Sequence, residues 1–218
     1  MKRIPLSSKS VESDLFRRGF RYVLGSDESG TGSIAGPVVV ATCCLLQEEE
    51  TVMLGVQDSK TLTAEERTRI YHHVITRPDT YAWNYHIATP MDIEQSNTIK
   101  ATMQAFQNSI QRLVEDYDLP PNQTYSIVDG HRTPMLHVPI KCRPWKHADA
   151  QVYTVAAASI LAKVTLDAIM MDLHDQYPMY DFHTNKGYPT RQHVQHIHTY
   201  GITPCHRIQA KPTQGRKQ

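Results

Sequence analysis

A chain of 218 residues that is 40% hydrophobic and 21% charged, with a formal net charge of +1, falls in the range of one ordinary folded domain; it excludes a collagen, a long coiled coil and a disordered polyelectrolyte. At this length folding buries roughly 70% of the surface that the unfolded chain exposes, so a core forms without covalent staples. The four cysteines, Cys43, Cys44, Cys142 and Cys205, contain no C-x-x-C pair, which argues against a structural zinc site and fits buried thiols in a reduced compartment.

The chain opens with MKRIPLSSKSVESDLF, which lacks the apolar segment of a secretory signal and carries Glu12 and Asp14, a poor composition for a transit peptide. Residues 1–19 read as an N-terminal extension. Tyr22 to Ser26 and the β-branched run Ala35 to Leu46 read as two strands joined by a glycine-rich turn, the opening of a hairpin. Thr63 and Glu66 form a T-x-x-E capping box, which predicts a helix from about Ala64 to Val74. Tyr81 to Ile87 alternates as a strand. From Thr98 to Tyr117 the apolar positions Ile99, Met103, Phe106, Ile110, Leu113 and Tyr117 step by three or four, the stripe of an amphipathic helix facing a core. Pro120 and Pro121 end it, and Tyr125 to Val128 reads as a short buried strand closed by Asp129 and Gly130. A second long helix spans Thr154 to His174 and a shorter one Arg191 to Tyr200. No apolar run reaches the roughly 20 residues of a membrane span. Strands alternating with helices around a hairpin predict an α/β domain with a mixed sheet.

Charge is unevenly distributed. Every acid lies at or before Asp181, whereas residues 182–218 carry Lys186, Arg191, Arg207, Lys211, Arg216 and Lys217 and no acid. Such a segment suits a polyanion, because Lys and Arg displace counterions condensed on phosphates. Residues 181–210 read as a basic helical extension of the domain, and 211–218 as a flexible basic tail.

Gly25 to Pro37, GSDESGTGSIAGP, sets Asp27 and Glu28 against a turn rich in glycine. Gly30, Gly32 and Gly36 allow the backbone to approach a ligand, and clustered N–H groups attract an anion. The adjacent acids repel phosphate unless cations stand between. This is neither a Walker A loop nor G-x-G-x-x-G, and a solvated hairpin turn is the alternative. Asp129 ends a strand, where α/β sheets bind ligands, and Asp149 precedes the Ala-rich helix. Taken singly, both are also ordinary turn or cap residues. Converging carboxylates are hard ligands suited to Mg²⁺ or Mn²⁺. His193, His196 and His198 have a metal-like spacing but no accompanying Cys or carboxylate, and zinc is not expected there.

Several of these segments together resemble type 2 ribonuclease H, the ribonuclease HII family. The resemblance runs over roughly residues 20–207 through GSDESGTGSIAGPVV, DSKTLTAEER (Asp58 to Arg67), NTIKATMQAF (Asn97 to Phe106), IVDG, ADAQVYTVAAASILAKVTLD (Ala148 to Asp167), NKGYPT (Asn185 to Thr190) and TPCHR (Thr203 to Arg207), in family order. It implies a ribonuclease H-like α/β fold, a mixed sheet flanked by helices, over a catalytic domain at 20–180, followed by the small C-terminal helical extension. It further implies an endonuclease that hydrolyses the RNA strand of RNA–DNA hybrids and cuts 5′ of ribonucleotides embedded in duplex DNA.

By the same resemblance Asp27, Glu28, Asp129 and Asp149 match the four catalytic, metal-holding acids, and two Mg²⁺ or Mn²⁺ ions about 4 Å apart would serve the scissile phosphate. Products would carry 5′-phosphate and 3′-hydroxyl ends. Gly30, Thr31 and Gly32 would read the 2′-hydroxyl, Tyr188 would pack on the sugar, and Lys60, Lys163 and Lys186 would contact phosphates. Asp167 is read as helix structure. The family loop usually reads G-R-G where this chain has Gly30-Thr31-Gly32, a pattern nearer the sister group ribonuclease HIII, which lacks the tyrosine; Gln151 stands where Lys is frequent. The alternatives are therefore ribonuclease HIII-like hybrid cleavage without single-ribonucleotide preference, a catalytically weak hybrid-binding module, or a mononucleotide-binding enzyme. A cytoplasmic monomer with no membrane partner is expected.

Overall fold

The computed structural model describes residues 10–46, 55–210 and 213, so the expected tail at 211–218 lies, apart from Thr213, outside the described residues, as do residues 1–9 of the N-terminal extension. In chain order the elements are α1 (Ser10–Arg17), β1 (Tyr22–Ser29), β2 (Val38–Leu45), α2 (Ala64–Ile75), β3 (Tyr81–Ala88), α3 (Pro90–Gln95), α4 (Thr98–Asp116), β4 (Thr124–Asp129), β5 (Lys141–Trp145), α5 (Tyr153–Gln176), α6 (Phe182–Asn185) and α7 (Arg191–Tyr200). The strands form one mixed sheet in the order β3-β2-β1-β4-β5. β1 runs antiparallel to β2 and parallel to β4, at the centre of the sheet.

Side chains alternate across β1. Val23 packs with Val155 of α5 on one face, and Leu24 with Phe106 and Ile110 of α4 on the other. Asp27 and Glu28, further along the same strand, therefore leave from opposite faces. α5 lies directly on β1: a Cβ on Gly25 would fall 2.2 Å from the Val155 nitrogen, so only glycine lets strand and helix backbones approach this closely. The capping box of α2 forms as the sequence specifies, with both Thr63–Glu66 bonds present.

The structure departs from the sequence-based expectations at several points. β2 begins at Val38 rather than Ala35, because Gly36 takes φ +79° and gives its N–H to the Cys205 carbonyl, while Ala35 bridges to His206. β5 carried no strand signal: KCRPW includes a proline, and an edge strand needs only one paired side. The ends of the α4 stripe are not core. Phe106, Ile110 and Leu113 are buried, whereas Ile99 is 50% and Tyr117 38% exposed. Cys142 is only half-buried, on edge strand β5, while the other three thiols are buried. No uninterrupted apolar run of 20 residues occurs, although α5, broken by Lys163 and Asp167, is long and apolar enough by length and composition to cross a membrane. It serves as the core helix, with 61% of its most apolar window buried in the fold.

Candidate active site

β1 and β4 are in parallel register with Ser26 opposite Val128, so the next residues, Asp27 and Asp129, stand side by side at the carboxyl edge of the sheet. Asp129 also anchors a more distant segment of the chain. Its Oδ1 accepts the Ala148 N–H at 2.7 Å, which holds the short 3₁₀ turn Ala148–Ala150 against the strand end and brings in Asp149. His147, in the left-handed region at φ +57°, turns the chain into that position.

Three of the carboxylates, Asp27, Glu28 and Asp149, are held above their ordinary range, and the charge of Asp129 contributes to each. Burial pushes the Asp27 carboxyl well above the usual range, and the charges of Glu28, Asp129 and Asp149 add to the effect. Glu28 is raised by burial and then by Asp129. Asp149 is raised by burial and then by Asp58 and Asp129. Lys60 enters from the 3₁₀ turn Ser59–Thr61, its Nζ 3.6 Å from Asp149 Oδ2 and 3.9 Å from Asp58 Oδ1. Burial alone would lower the Lys60 pKa, but Asp58, Asp27, Asp149 and Asp129 outweigh it and the ammonium is raised. Asp58 is a fifth acid of this cluster that sequence reasoning did not single out; its only signal was its place beside Lys60.

Hard oxygen donors crowded until they repel one another have the chemistry that Mg²⁺ or Mn²⁺ requires, since such ions take one or two carboxylates and complete their shells with water and phosphate. Among the described residues no group of three or more His, Cys, Asp or Glu side chains is arranged to enclose an ion as it stands.

The glycine loop borders the acids. Gly30 sits at φ +95°, and a Cβ there would lie 2.7 Å from the Pro37 carbonyl oxygen, which excludes other residues. Thr31 and Gly32 are exposed, and a Cβ on Gly32 would lie 3.5 Å from Cε1 of Tyr188, so that ring stands over the loop. The segment carrying Lys186 and Tyr188 is pinned there by the Ile34 N–H donating to the Gly187 carbonyl at 2.8 Å. Lys163, on α5, pairs through its Nζ with Asp167 at 2.7 Å, one helical turn away. A crevice of about 430 Å³, lined by Glu28, Thr31, Ile99, Phe106, Asp129 and Arg132, opens on one side of Thr31; another of about 480 Å³, lined by Gly32, Ile93, Pro189 and Arg207, opens on the other.

Behind the loop lies a hydrogen-bonded relay whose tautomers follow from its geometry. The Thr203 N–H donates to His206 Nδ1 at 3.0 Å, which leaves the His206 proton on Nε2. That proton faces His193 Nε2 at 3.3 Å, and His193 Nδ1 in turn donates to the Tyr188 carbonyl at 2.9 Å. Both rings are neutral in this arrangement. Burial, then the neighbouring His193, pushes His206 down to about 4, and burial lowers His193. Below the ordinary histidine value of 6.5 the unfolded chain takes up protons that the folded chain refuses, so stability falls as pH drops from 6.5 toward 4. The loss reaches about 2–3 kcal/mol near the lower end. Denaturant unfolding of wild type and His206→Gln at pH 7 and pH 4.5 measures it; equal losses in the two proteins would remove His206 as the source.

The ribonuclease HII family model matches residues 24–213. Among curated relatives, ribonuclease HII of Ehrlichia chaffeensis is 38% identical over 193 residues, covering 88% of this chain and 87% of that protein. Ribonuclease HII of Cupriavidus pinatubonensis is 35% identical over 216 residues, covering 98% and 95%. Among solved structures, the RNase HII of Archaeoglobus fulgidus, determined in a complex with PCNA, superposes with a TM-score of 0.69 at 23% identity over 87% of this chain and 95% of that one. Bst-RNase HIII in complex with Mn²⁺ gives 0.71 at 22% identity over 91% and 70%. The two structures share this fold, with the same mixed sheet flanked by helices. The sequence matches, which extend over most of the chain and through every segment that builds the acidic edge and its glycine loop, show that the chain belongs to the ribonuclease HII family.

Proposed function

We propose that this ribonuclease H, an endonuclease of RNA–DNA hybrids by its family, also cuts 5′ of single ribonucleotides embedded in duplex DNA. Asp27, Glu28, Asp129 and Asp149 are its metal-holding catalytic acids, and the products carry 5′-phosphate and 3′-hydroxyl ends. The observation that supports this most is the gathering of those carboxylates at one sheet edge, where parallel register sets Asp129 beside Asp27 and Asp129 holds the turn that carries Asp149, directly beside a glycine loop with Tyr188 over it.

Divalent Mg²⁺ or Mn²⁺, when bound, would supply Lewis acidity for activating water and stabilising the departing 3′-oxygen. The chain's own groups do the rest. Backbone groups of Gly30, Thr31 and Gly32 read the 2′-hydroxyl displayed in an A-like minor groove, with that hydroxyl as recognition element rather than nucleophile. Tyr188 packs on the ribose, Lys60 offsets acidic charge not neutralised by the ions, and Lys186 meets a flanking phosphate. The protein is proposed to act as a cytoplasmic monomer.

Incubation with a duplex holding one ribonucleotide, in Mg²⁺, Mn²⁺ or EDTA, tests the reading. Cleavage 5′ of the ribonucleotide in either metal and none in EDTA is expected; binding without cleavage in both metals would reduce the protein to a hybrid-binding module. Thr31 in the loop favours a second reading, hybrid cleavage without single-ribonucleotide preference, and Tyr188→Ala separates the two. The substitution is expected to lower kcat/KM roughly tenfold more on the single-ribonucleotide duplex than on a long hybrid, about what stacking of one aromatic ring provides. Uniform loss on both substrates would favour the second reading.

A further inference from the structure

Edge strand β5 carries cations that the proposed chemistry does not use. Lys141, Arg143 and Trp145 alternate onto one face of the strand, about 6.6 Å from one to the next, beside Tyr125, Ile127 and Asp129 of β4. Each cation lies on an aromatic ring. Lys141 Nζ is 5.2 Å from the Phe20 centroid, and the Arg143 guanidinium is 4.3 Å from the Trp145 ring and 5.9 Å from that of Tyr125. Phe20 and Tyr125 meet edge to face at 5.0 Å, which makes the platform continuous. Among the described residues neither cation forms a salt bridge, and Arg143 Nε is buried without a hydrogen-bond partner. Exposed Lys146 adds a further positive charge.

Ring faces hold these cations in place without neutralising them, whereas a carboxylate would cancel their charge. What such a row lacks is a line of anionic acceptors. Its Trp145 end stands opposite Asp129 in the sheet register, so the row starts at the acidic edge and runs away from it along the side of the domain. We propose that Lys141 and Arg143, stacked on Phe20, Tyr125 and Trp145, form a second nucleic-acid contact that holds the sugar–phosphate backbone of the duplex arm flanking the cleavage site. This rests on the nuclease reading for the identity of the occupant, and charge complementarity favours a polyanionic backbone over an apolar partner.

The test is binding to an all-DNA duplex in EDTA, which requires no cleavage, with affinity measured across salt concentrations. Each phosphate that a side chain no longer neutralises lowers the slope of log K against log salt by about 0.9. Lys141→Gln, at an exposed position, is expected to lower the slope by about one, and Lys141→Gln with Arg143→Gln by about two, with roughly tenfold weaker binding at physiological salt. Arg143→Lys, which keeps the charge, should retain most of the slope. An unchanged slope in Lys141→Gln and in the double variant, with both melting as wild type, would overturn the proposal and leave the row as packing or as a protein-docking surface. If the double variant melts early, Lys141→Gln alone decides. Cleavage of the ribonucleotide duplex by wild type is scored separately: a lowered slope without cleavage sinks the nuclease reading and keeps the surface, while normal cleavage with an unchanged slope does the reverse.

Discussion

Asp129→Asn is expected to lower cleavage about 10³-fold or more while leaving duplex binding at wild-type strength or tighter. Asp129 has two roles that this substitution separates. As an acceptor it holds the Ala148 N–H at 2.7 Å, and with it the turn that presents Asp149. As a charge it perturbs Asp27, Glu28 and Asp149, contributing to the crowded field that suits a divalent cation. An asparagine oxygen still accepts from Ala148, so the turn persists; the charge does not. Losing one carboxylate from a metal-holding set removes several kcal/mol of transition-state stabilisation, and about 4 kcal/mol corresponds to three orders of magnitude in rate. Binding is spared because the removed charge repelled the backbone phosphate. Single-turnover cleavage and anisotropy titration on one duplex provide both quantities. Parallel loss of binding and cleavage would show that Asp129 acts through the fold, and residual activity within tenfold of wild type would remove it from the catalytic set.

The legible parts of the molecule were those with strong local chemistry. Thr63 with Glu66 marked a helix start because a capping box satisfies its own backbone donors, whatever the surroundings. The central residues of α4 were readable from their spacing. Strand β5 was not, because KCRPW is stabilised by pairing with β4 on one side and by ring stacking, and neither leaves a periodic apolar pattern. The same division holds at the site. Asp27 and Glu28 announce themselves beside glycines, Asp129 at a strand end and Asp149 ahead of a helix were readable as candidates that the resemblance then joined to them, but their meeting depends on a parallel register and one hydrogen bond to Ala148, both tertiary facts. Asp58 joins the cluster only through a turn packed from a distant segment. The pairing of Lys163 with Asp167 was legible in their i,i+4 spacing along one helix.

Arg207→Leu is the substitution expected to cost most stability, about 3–5 kcal/mol, although Arg207 touches none of the acids. The side chain is 2% exposed, and no carboxylate accepts from it among the bonds observed. Instead Nε donates to the Gly36 carbonyl at 2.9 Å and Nη2 to the Pro37 carbonyl at 2.8 Å, with Nη1 at 3.4 Å from the carbonyl of Thr31. The backbone around it is tied to the same stretch, Arg207 N–H to the Ile34 carbonyl and Gly36 N–H to that of Cys205. Burial lowers its pKa to about 10, so at pH 7 it remains a cation set directly behind the glycine loop. Leucine would leave two buried carbonyls without donors, at roughly 1–3 kcal/mol each. Lysine should recover only part of the loss, because one ammonium cannot reproduce a planar fork spanning carbonyls of successive residues. Urea unfolding should show a lower midpoint with an unchanged slope for Arg207→Leu and an intermediate value for Arg207→Lys. A loss below about 1 kcal/mol would mean that the glycine loop holds its shape without the guanidinium. With the expected loss, the conformation of the loop that carries Gly30, Thr31 and Gly32 is set by a residue distant in sequence and buried behind it.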